Sequence, residues 1–438
     1  MADGSFGSSR SSPDDAALAK KRALANEQRL QALGAAVDQR SGVQRRPRRR
    51  GVRRGRRWLI AVVVVVILIV GVVGGGYVYA NWRFGQIKKI NVAGEVKPIA
   101  GQPFNILSIG SDSRAGLTGA VAAQTGASTG AVSGQRSDVV KIIHVDPTAG
   151  TISMLSIPRD TMTTLLANQA TYGKFNRINV NFGGGPSLLT QTITANFGIP
   201  IANTIVVSFA GLMNASDAVG GVRLNFPYLA KDPFSELKIT HTGCQTVTGF
   251  QALAVARSRH YYWYQNGVWN YDLTSDFGRI WRQNVFLRAI ISKAKGLYNP
   301  LTINSFLSKL PQGITLDSNF SLNELIGLAL KFHGLNTASI KTFTLPTVAS
   351  QAPGVGSVLF INQPLAQQML VSIFGNELLT PSNPPPNSAL QTPLPPVIAP
   401  TTITTNATSP SASTPKSATS TTTTVLTEGD QYFDPVTC

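Results

Sequence analysis

Residues 139–160 read VVKIIHVDPTAGTISMLSIPRD, two apolar runs parted by a turn, and this stretch decides the fold. Asp146-Pro147 and Gly150 interrupt the apolar pattern, so two strands are expected to double back on each other, and Pro158 ends the second. Upstream, PFNILSIGSDS (103–113) has the composition of a buried strand ending in a turn. Downstream, GPSLLTQTITANFG (185–198) is a helix with Pro186 in its first turn and Gly198 as its stop. TIVVSFAGLMNASDAVGGV (204–222) gives a strand, a helix and a Gly220-Gly221 stop. QALAVARSRH (251–260) reads as another strand, SDFGRIWRQNVFLRAIISKAKG (275–296) as a long amphipathic helix, and NELIGLALKFHG (323–334) as a late packing helix. Strands interleaved with helices predict an α/β fold of three layers, α/β/α, around a central mixed sheet.

The flanks cannot join that core. Of 438 residues with a net charge of +18, much of the excess sits between Arg45 and Arg57. The basic run ends against Trp58 and LIAVVVVVILIVGVV (59–73), followed by Tyr77, Tyr79 and Trp82. Residues 58–80 would rise about 34 Å as a helix, enough for a hydrocarbon core of about 30 Å, so a single transmembrane helix is expected. A polar stretch of 57 residues before it argues against a cleaved signal peptide. The arginines then stay inside by the positive-inside rule, which makes residues 1–57 a disordered cytoplasmic tail and the remainder extracytoplasmic. That adjacency favours membrane topology over nucleic-acid binding, and no nucleic-acid partner is expected. Residues 81–380 form the globular domain, with a helical extension at its end. Residues 381–438, rich in Pro, Ser and Thr, read as a disordered tail.

Two cysteines are present, Cys244 and Cys438. An oxidising exterior allows them to pair, and GDQYFDPVTC regains apolar character as a docking segment would, so a disulfide is expected. No H-E-x-x-H, zinc-spaced cysteine pair, G-x-S-x-G or Walker loop occurs, which sets aside zinc hydrolases, serine hydrolases and P-loop enzymes.

Arginine and aspartate instead collect where strands end. Asp112 and Arg114 follow one strand, Arg136 and Asp138 precede the next, and Arg159 and Asp160 close LSIPRD, the edge at which open α/β sheets place ligands. Carboxylates on neighbouring loops can share a hard cation such as Mg²⁺, or Mn²⁺ in its place, with a pyrophosphate completing its shell. Turns and surface ion pairs are the plainer reading of each piece. Read as a strand, LAVARSR puts Leu253, Val255, Arg257 and Arg259 on one face, an apolar wall with a cationic mouth suited to an amphiphile with a phosphate head. Asp276, Arg279 and Gln283 stack on one helix face at i, i+3 and i+7. Between them HYYWYQNGVWNYDLTS (260–275) holds six aromatic residues, expected to form a lid over a glycan, with Trp263 and Trp269 as stacking residues; a self-packed loop is the competing reading.

NILSIGSDSR, RSDVV, SIPRD, GGGP, DAVGGV, QALAVARSR and DFGRIWRQ, in that order between Asn105 and Lys293, resemble the catalytic domain of the LytR-CpsA-Psr family. The resemblance implies that Asp112 and Asp138 serve a Mg²⁺ site. It assigns Arg136, Arg257, Arg259, Arg279 and Gln283 to a donor pyrophosphate and puts Arg159 closest to catalysis. Where the family has one Lys-Ile-Asn element, this chain has both KFN and RIN. Lys174 with Asn176 or Arg177 with Asn179 can fill it, and Arg177 is the choice that keeps an apolar middle residue in Ile178. The implied activity is transfer of a glycopolymer from a polyprenyl-pyrophosphate carrier to peptidoglycan through a phosphodiester. An arginine cannot accept a proton at ordinary pH, so Asp160 or a metal-bound aspartate is the better base. Two rivals use the same residues: a pyrophosphatase acting on the carrier lipid, and a non-enzymatic protein that binds wall polymer.

Overall fold

The computed structural model describes residues 13–40, 51–113, 137–295, 300–309, 311–386 and 432–438. The chain divides into two compact units, Met1–Gly75 and Gly76–Cys438. In the first, helix α1 (Pro13–Arg40) replaces part of the expected disordered tail, its described side chains all exposed. Helix α2 (Gly51–Phe84) begins inside the arginine run and carries the apolar stretch. Among the described residues no helix is long and apolar enough to cross a membrane; the side chains at 51–61, 67–69 and 72–73, most of them in or beside the apolar run, lie outside the described set.

The second unit is built on strands β1 (Lys88–Ile90), β2 (Phe104–Ser111), β3 (Ser137–Asp146), β4 (Thr151–Ile157), β5 (Met162–Thr164), β6 (Phe175–Arg177) and β7 (Asn203–Val207). Next come β8 (Val222–Phe226), β9 (Leu229–Asp232), β10 (Leu237–Ile239), β11 (Gly243–Val247), β12 (Tyr262–Gln265) and β13 (Val268–Tyr271). The last are β14 (Ile314–Asp317), β15 (Lys341–Thr344), β16 (Thr347–Ala352), β17 (Gly356–Ile361) and β18 (Val436–Thr437). The longer helices between them are α3 (Gly185–Phe197), α4 (Phe209–Ala218), α5 (Gly249–Arg257), α6 (Asp276–Ala294), α7 (Pro300–Lys309), α8 (Leu322–Lys331) and α9 (Gln363–Phe374).

Seven strands in the order β1-β14-β7-β2-β3-β4-β15 make the central mixed sheet. The antiparallel β3–β4 pair is closed by Asp146, whose Oδ1 accepts from the amides of Thr148 and Ala149, both at 2.8 Å, while Gly150 takes a φ of 66°. Alternation splits the strands between two cores. Leu107, Ile109, Val140, Ile142 and Leu155 meet Leu189 and Ile193 of α3 and Leu370 and Phe374 of α9. Ile106 and Val145 face the other way, onto Phe84, Leu316 and Leu322. Helices therefore cover both faces, as the alternating pattern predicted.

Three readings are corrected. Residues 249–257 are a helix, α5, not a strand. An apolar run of this length does not distinguish the two periods, and Ala252, Ala254 and Ala256 tip it toward helix. The aromatic stretch is not a loop but the hairpin β12–β13, turned by Asn266 (φ 55°) and Gly267 (φ 83°), the Asn-Gly pair that a two-residue hairpin turn requires. It joins β9 and β10 in a four-stranded sheet ordered β10-β9-β12-β13. Finally, residues 432–438 of the tail read as disordered are ordered and docked, as the expected Cys244–Cys438 disulfide requires. β18 pairs with β8, Cys438 is bonded to Cys244 with Cα atoms 5.9 Å apart, and Phe433 stacks on Trp263 with centroids at 3.8 Å. Beside them Arg282, wholly buried, is held by Asp272 at 3.0 Å and by Asp434.

Candidate functional site

Register places the conspicuous residues at one end of the central sheet. Gly110 on β2 pairs with Val207 of parallel β7 and Val139 of antiparallel β3, and Val140 pairs with Ile157 of β4. Asp112, Asp138, Arg159 and Ser208 all follow or precede those pairs by one or two residues, at this same edge. The ladder between β2 and β3 is irregular there: Gly110 pairs with Val139 but Ser111 with Ser137, so Asp138 is the extra residue of a bulge. Gly110 makes this approach possible, since a Cβ on it would lie 2.7 Å from the Val139 Cβ. Asp112 is half-buried. Arg136 and Arg114 lie outside the described residues, as does the Asp138 side chain.

Beneath this edge opens a cavity of about 140 Å³. Leu212, Leu253, Phe286 and Ile290 line its apolar part; Arg257, Arg279 and Gln283 stand at its polar part. Leu253 and Arg257 share the wall because they are one helical turn apart on α5, so the expected apolar wall running into an arginine is present for a different geometric reason. Val255, expected on the same face, belongs instead to the core behind it. Arg259 lies past the end of α5, where Asp232 Oδ2 accepts from its amide at 2.9 Å, from that of His260 at 2.9 Å and from Ser258 Oγ at 2.7 Å.

From α6, Asp276 ties the cations together, its Oδ1 lying 2.7 Å from Arg279 Nη2 and 3.2 Å from Arg259 Nε. Arg279, on what could have been an exposed stripe, is 4% exposed. Gln283 donates to the Ala256 carbonyl at 2.9 Å, joining α6 to α5. Lys141 also reaches the cavity, from β3, buried and donating to Ser156 Oγ at 2.7 Å and Asn284 Oδ1 at 2.6 Å. Burial, reinforced by the charge of Arg279 and opposed by Asp276, pulls its ammonium down to about 7. Sequence reading passed over Lys141 and the Asp276 bridge, although a lysine in the middle of VVKIIHV was a visible signal.

A second group stands after β4. Asp160 lies between Arg159 and Arg177, its two oxygens each 3.6 Å from an Nε. Arg177 is further engaged by the β16–β17 hairpin, donating to the carbonyls of Val355 at 2.8 Å and Ser357 at 2.9 Å. Arg257, Arg279 and Gln283 thus share the cavity lining, while Arg159, Asp160 and Arg177 form a separate ion-paired row.

A profile of the LytR_cpsA_psr family matches residues 83–373, which contain all of this. The chain belongs to the LytR-CpsA-Psr family. Among its relatives is a probable cell wall biosynthesis protein, LcpB of Corynebacterium glutamicum, 30% identical over 303 residues, 68% of this chain and 67% of that protein. Another is the polyisoprenyl-teichoic acid–peptidoglycan teichoic acid transferase TagV of Bacillus subtilis, 28% identical over 262 residues, 59% of this chain and 60% of that protein. Among solved structures, a LytR-Csp2A-Psr enzyme from Actinomyces oris superposes with a TM-score of 0.52 at 19% identity, covering 68% of this chain and 97% of its own. A Streptococcus agalactiae protein, gbs0355, gives 0.51 at 19% identity, covering 64% and 92%. These two share the fold, the LytR-CpsA-Psr α/β domain with a mixed central sheet.

Proposed function

We propose that the protein is a membrane-anchored phosphotransferase that moves a glycopolymer from a polyprenyl-pyrophosphate carrier onto peptidoglycan through a phosphodiester. The observation that carries this reading is one cavity, apolar along Leu253, Phe286 and Ile290, that ends at Arg257, Arg279 and Gln283. A hydrocarbon tail gains about 0.8 kcal/mol per buried CH₂ in such a lining, and guanidinium forks match phosphate oxygens in pairs. The teichoic acid transferase activity in TagV's name supports the same assignment, and the apolar run at residues 58–80, within α2, supports a single membrane span with the catalytic unit outside.

In this reading the acceptor sugar hydroxyl attacks the glycan-proximal phosphorus, a new P–O bond forms, and the bond to the distal phosphate breaks to release polyprenyl phosphate. Arg257, Arg259 and Arg279, with Arg136 and Gln283, hold the diphosphate, and Asp276 fixes the Arg259 and Arg279 forks. Arg159 steadies the charge that grows on the phosphoryl oxygens. Asp160, oriented by Arg159 and Arg177, takes the hydroxyl proton. Asp112 and the bulge residue Asp138 are carboxylates suited to a hard divalent ion, and they are the residues that would hold Mg²⁺, or Mn²⁺. Among the described residues, which do not include the Asp138 side chain, no cluster of three or more His, Cys, Asp or Glu could hold a metal ion. Bound there, the ion would neutralise diphosphate charge. Product analysis with and without peptidoglycan tests the proposal: phosphodiester-linked glycan should appear only with the acceptor. Inorganic or monoester products formed equally without it would make the protein a hydrolase.

A further inference from the structure

The sheet β10-β9-β12-β13 has one face in the core and one in solvent. Inward, Ala230, Leu237, Ile239 and Trp263 pack in a common core, with Trp263 stacked on Phe433. Outward, register aligns two rows: Tyr262 opposes Tyr271 and Lys231, and Tyr264 opposes Trp269. The ring pairs lie at 4.9 Å and 5.3 Å, and Lys231 Nζ sits 4.1 Å above the Trp269 ring. Lys238 on β10 continues the first row beside Lys231. Tyr264, Trp269 and Tyr271 are 38%, 41% and 38% exposed, although Trp263 already anchors the hairpin to the core from its other side. The rings therefore contribute a surface rather than a core.

We propose that this outer face binds the saccharide chain of the donor glycan, and that the chain bears phosphate or carboxylate groups. This deepens the transferase reading and rests on it. Three features select that occupant. Sugar rings present C–H faces that stack on tyrosine and tryptophan, and aromatic rows two residues apart repeat at about 6.8 Å along a strand, on the scale of successive sugars. The strand residues on this face supply two lysines and no carboxylate, which suits an anionic polymer. The face is also continuous with the diphosphate site: β9 holds the Arg259 and His260 amides through Asp232, and β12 starts two residues later. A carrier with its tail at Leu253 and its diphosphate at Arg257 and Arg259 leads its saccharide outward over β12.

The test uses the full chain in detergent micelles, with a galacturonate oligomer, a dextran oligomer of equal length, soluble muropeptides, phosphatidylglycerol vesicles and sugar-free polyprenyl pyrophosphate as probes. Wild type should bind the galacturonate oligomer. Tyr264→Ala with Trp269→Ala, both at exposed positions, should weaken that binding by at least about tenfold. Lys231→Gln with Lys238→Gln, which leaves Trp269 in place, should lower the galacturonate-to-dextran affinity ratio several-fold. Retention of sugar-free polyprenyl pyrophosphate should be unchanged in both. Galacturonate binding within twofold of wild type in both variants would overturn the proposal, as would losses confined to muropeptides or to vesicles. Failure of wild type to retain the sugar-free lipid would instead sink the transferase reading, so the two failures are distinguishable.

Discussion

Changing Asp434 to Asn should cost the folded protein about 2 to 3 kcal/mol, because it removes a charge and leaves its buried partner in place. Arg282 is wholly buried, and its guanidinium donates to Asp272 from Nη1 at 3.1 Å and Nη2 at 3.0 Å, to the Ser258 carbonyl at 3.1 Å, and to Asp434. Asp272 and Asp434 together hold the guanidinium charged, against the burial that would discharge it. Stripping a buried ion of its partner costs about 3 to 5 kcal/mol; here Asp272 remains, so the loss should fall somewhat below that range. At about 2 to 4 °C per kcal/mol for a domain of 150 to 250 residues, and less for a larger one, the melting temperature should drop by at most about 4 to 12 °C. Differential scanning calorimetry at low and high salt is the assay. The drop should hardly change with salt, since the pair lies outside the reach of screening ions. A fall of less than about 1 °C would show that the C-terminal segment does not dock on α6 in solution, and the reasoning would fail.

Arg279→Lys keeps the charge beside Asp276 but loses the planar fork, so kcat/KM for glycan transfer should fall about 100-fold while the far-UV spectrum stays as it was; full activity would remove the bidentate role. Lys141 gives a pH signature. Its folded value of about 7 lies below the unfolded 10.5, so it costs stability fully below pH 7, and the cost fades as pH rises toward 10.5. Urea midpoints should therefore rise between pH 7 and 10 in wild type and rise less in Lys141→Met; parallel profiles would count against a buried neutral amine. Gly110→Ala forces its Cβ onto Val139 and should cost about 1 to 3 kcal/mol by overpacking, with a larger fractional loss of transfer because the Asp138 bulge moves; unimpaired transfer would detach the bulge from the site.

Much of the central sheet could be read from the chain because its signals are local. Asp146, Pro147 and Gly150 announce a turn, and Gly198 ends α3 with a φ of 70°, as its position after an apolar helix suggests. The α6 stripe of Asp276, Arg279 and Gln283 follows from the helical repeat alone, and all three face the α5 corner. What sequence reading missed depends on tertiary packing. QALAVAR suits either apolar period; its alanines favour the helix, and α5 sets Leu253, Ala256 and Arg257 against the cavity, a face that the alternating pattern did not predict. Trp263 looked like a neighbour of Trp269, but strand alternation sends it to the opposite face, onto a Phe433 that is distant in sequence. Lys141 stands out as a charge in an apolar run, but its partners Ser156 and Asn284 come from another strand and a helix far along the chain.

The claim on which the rest depends is that the cavity under Arg257 and Arg279 holds an isoprenoid diphosphate. Mass spectrometry of lipid retained by the purified full-length protein tests it directly. The account predicts a polyprenyl phosphate or pyrophosphate that is lost in Arg257→Ala with Arg279→Ala. Retention of ordinary phospholipids alone, equally in both proteins, would contradict it.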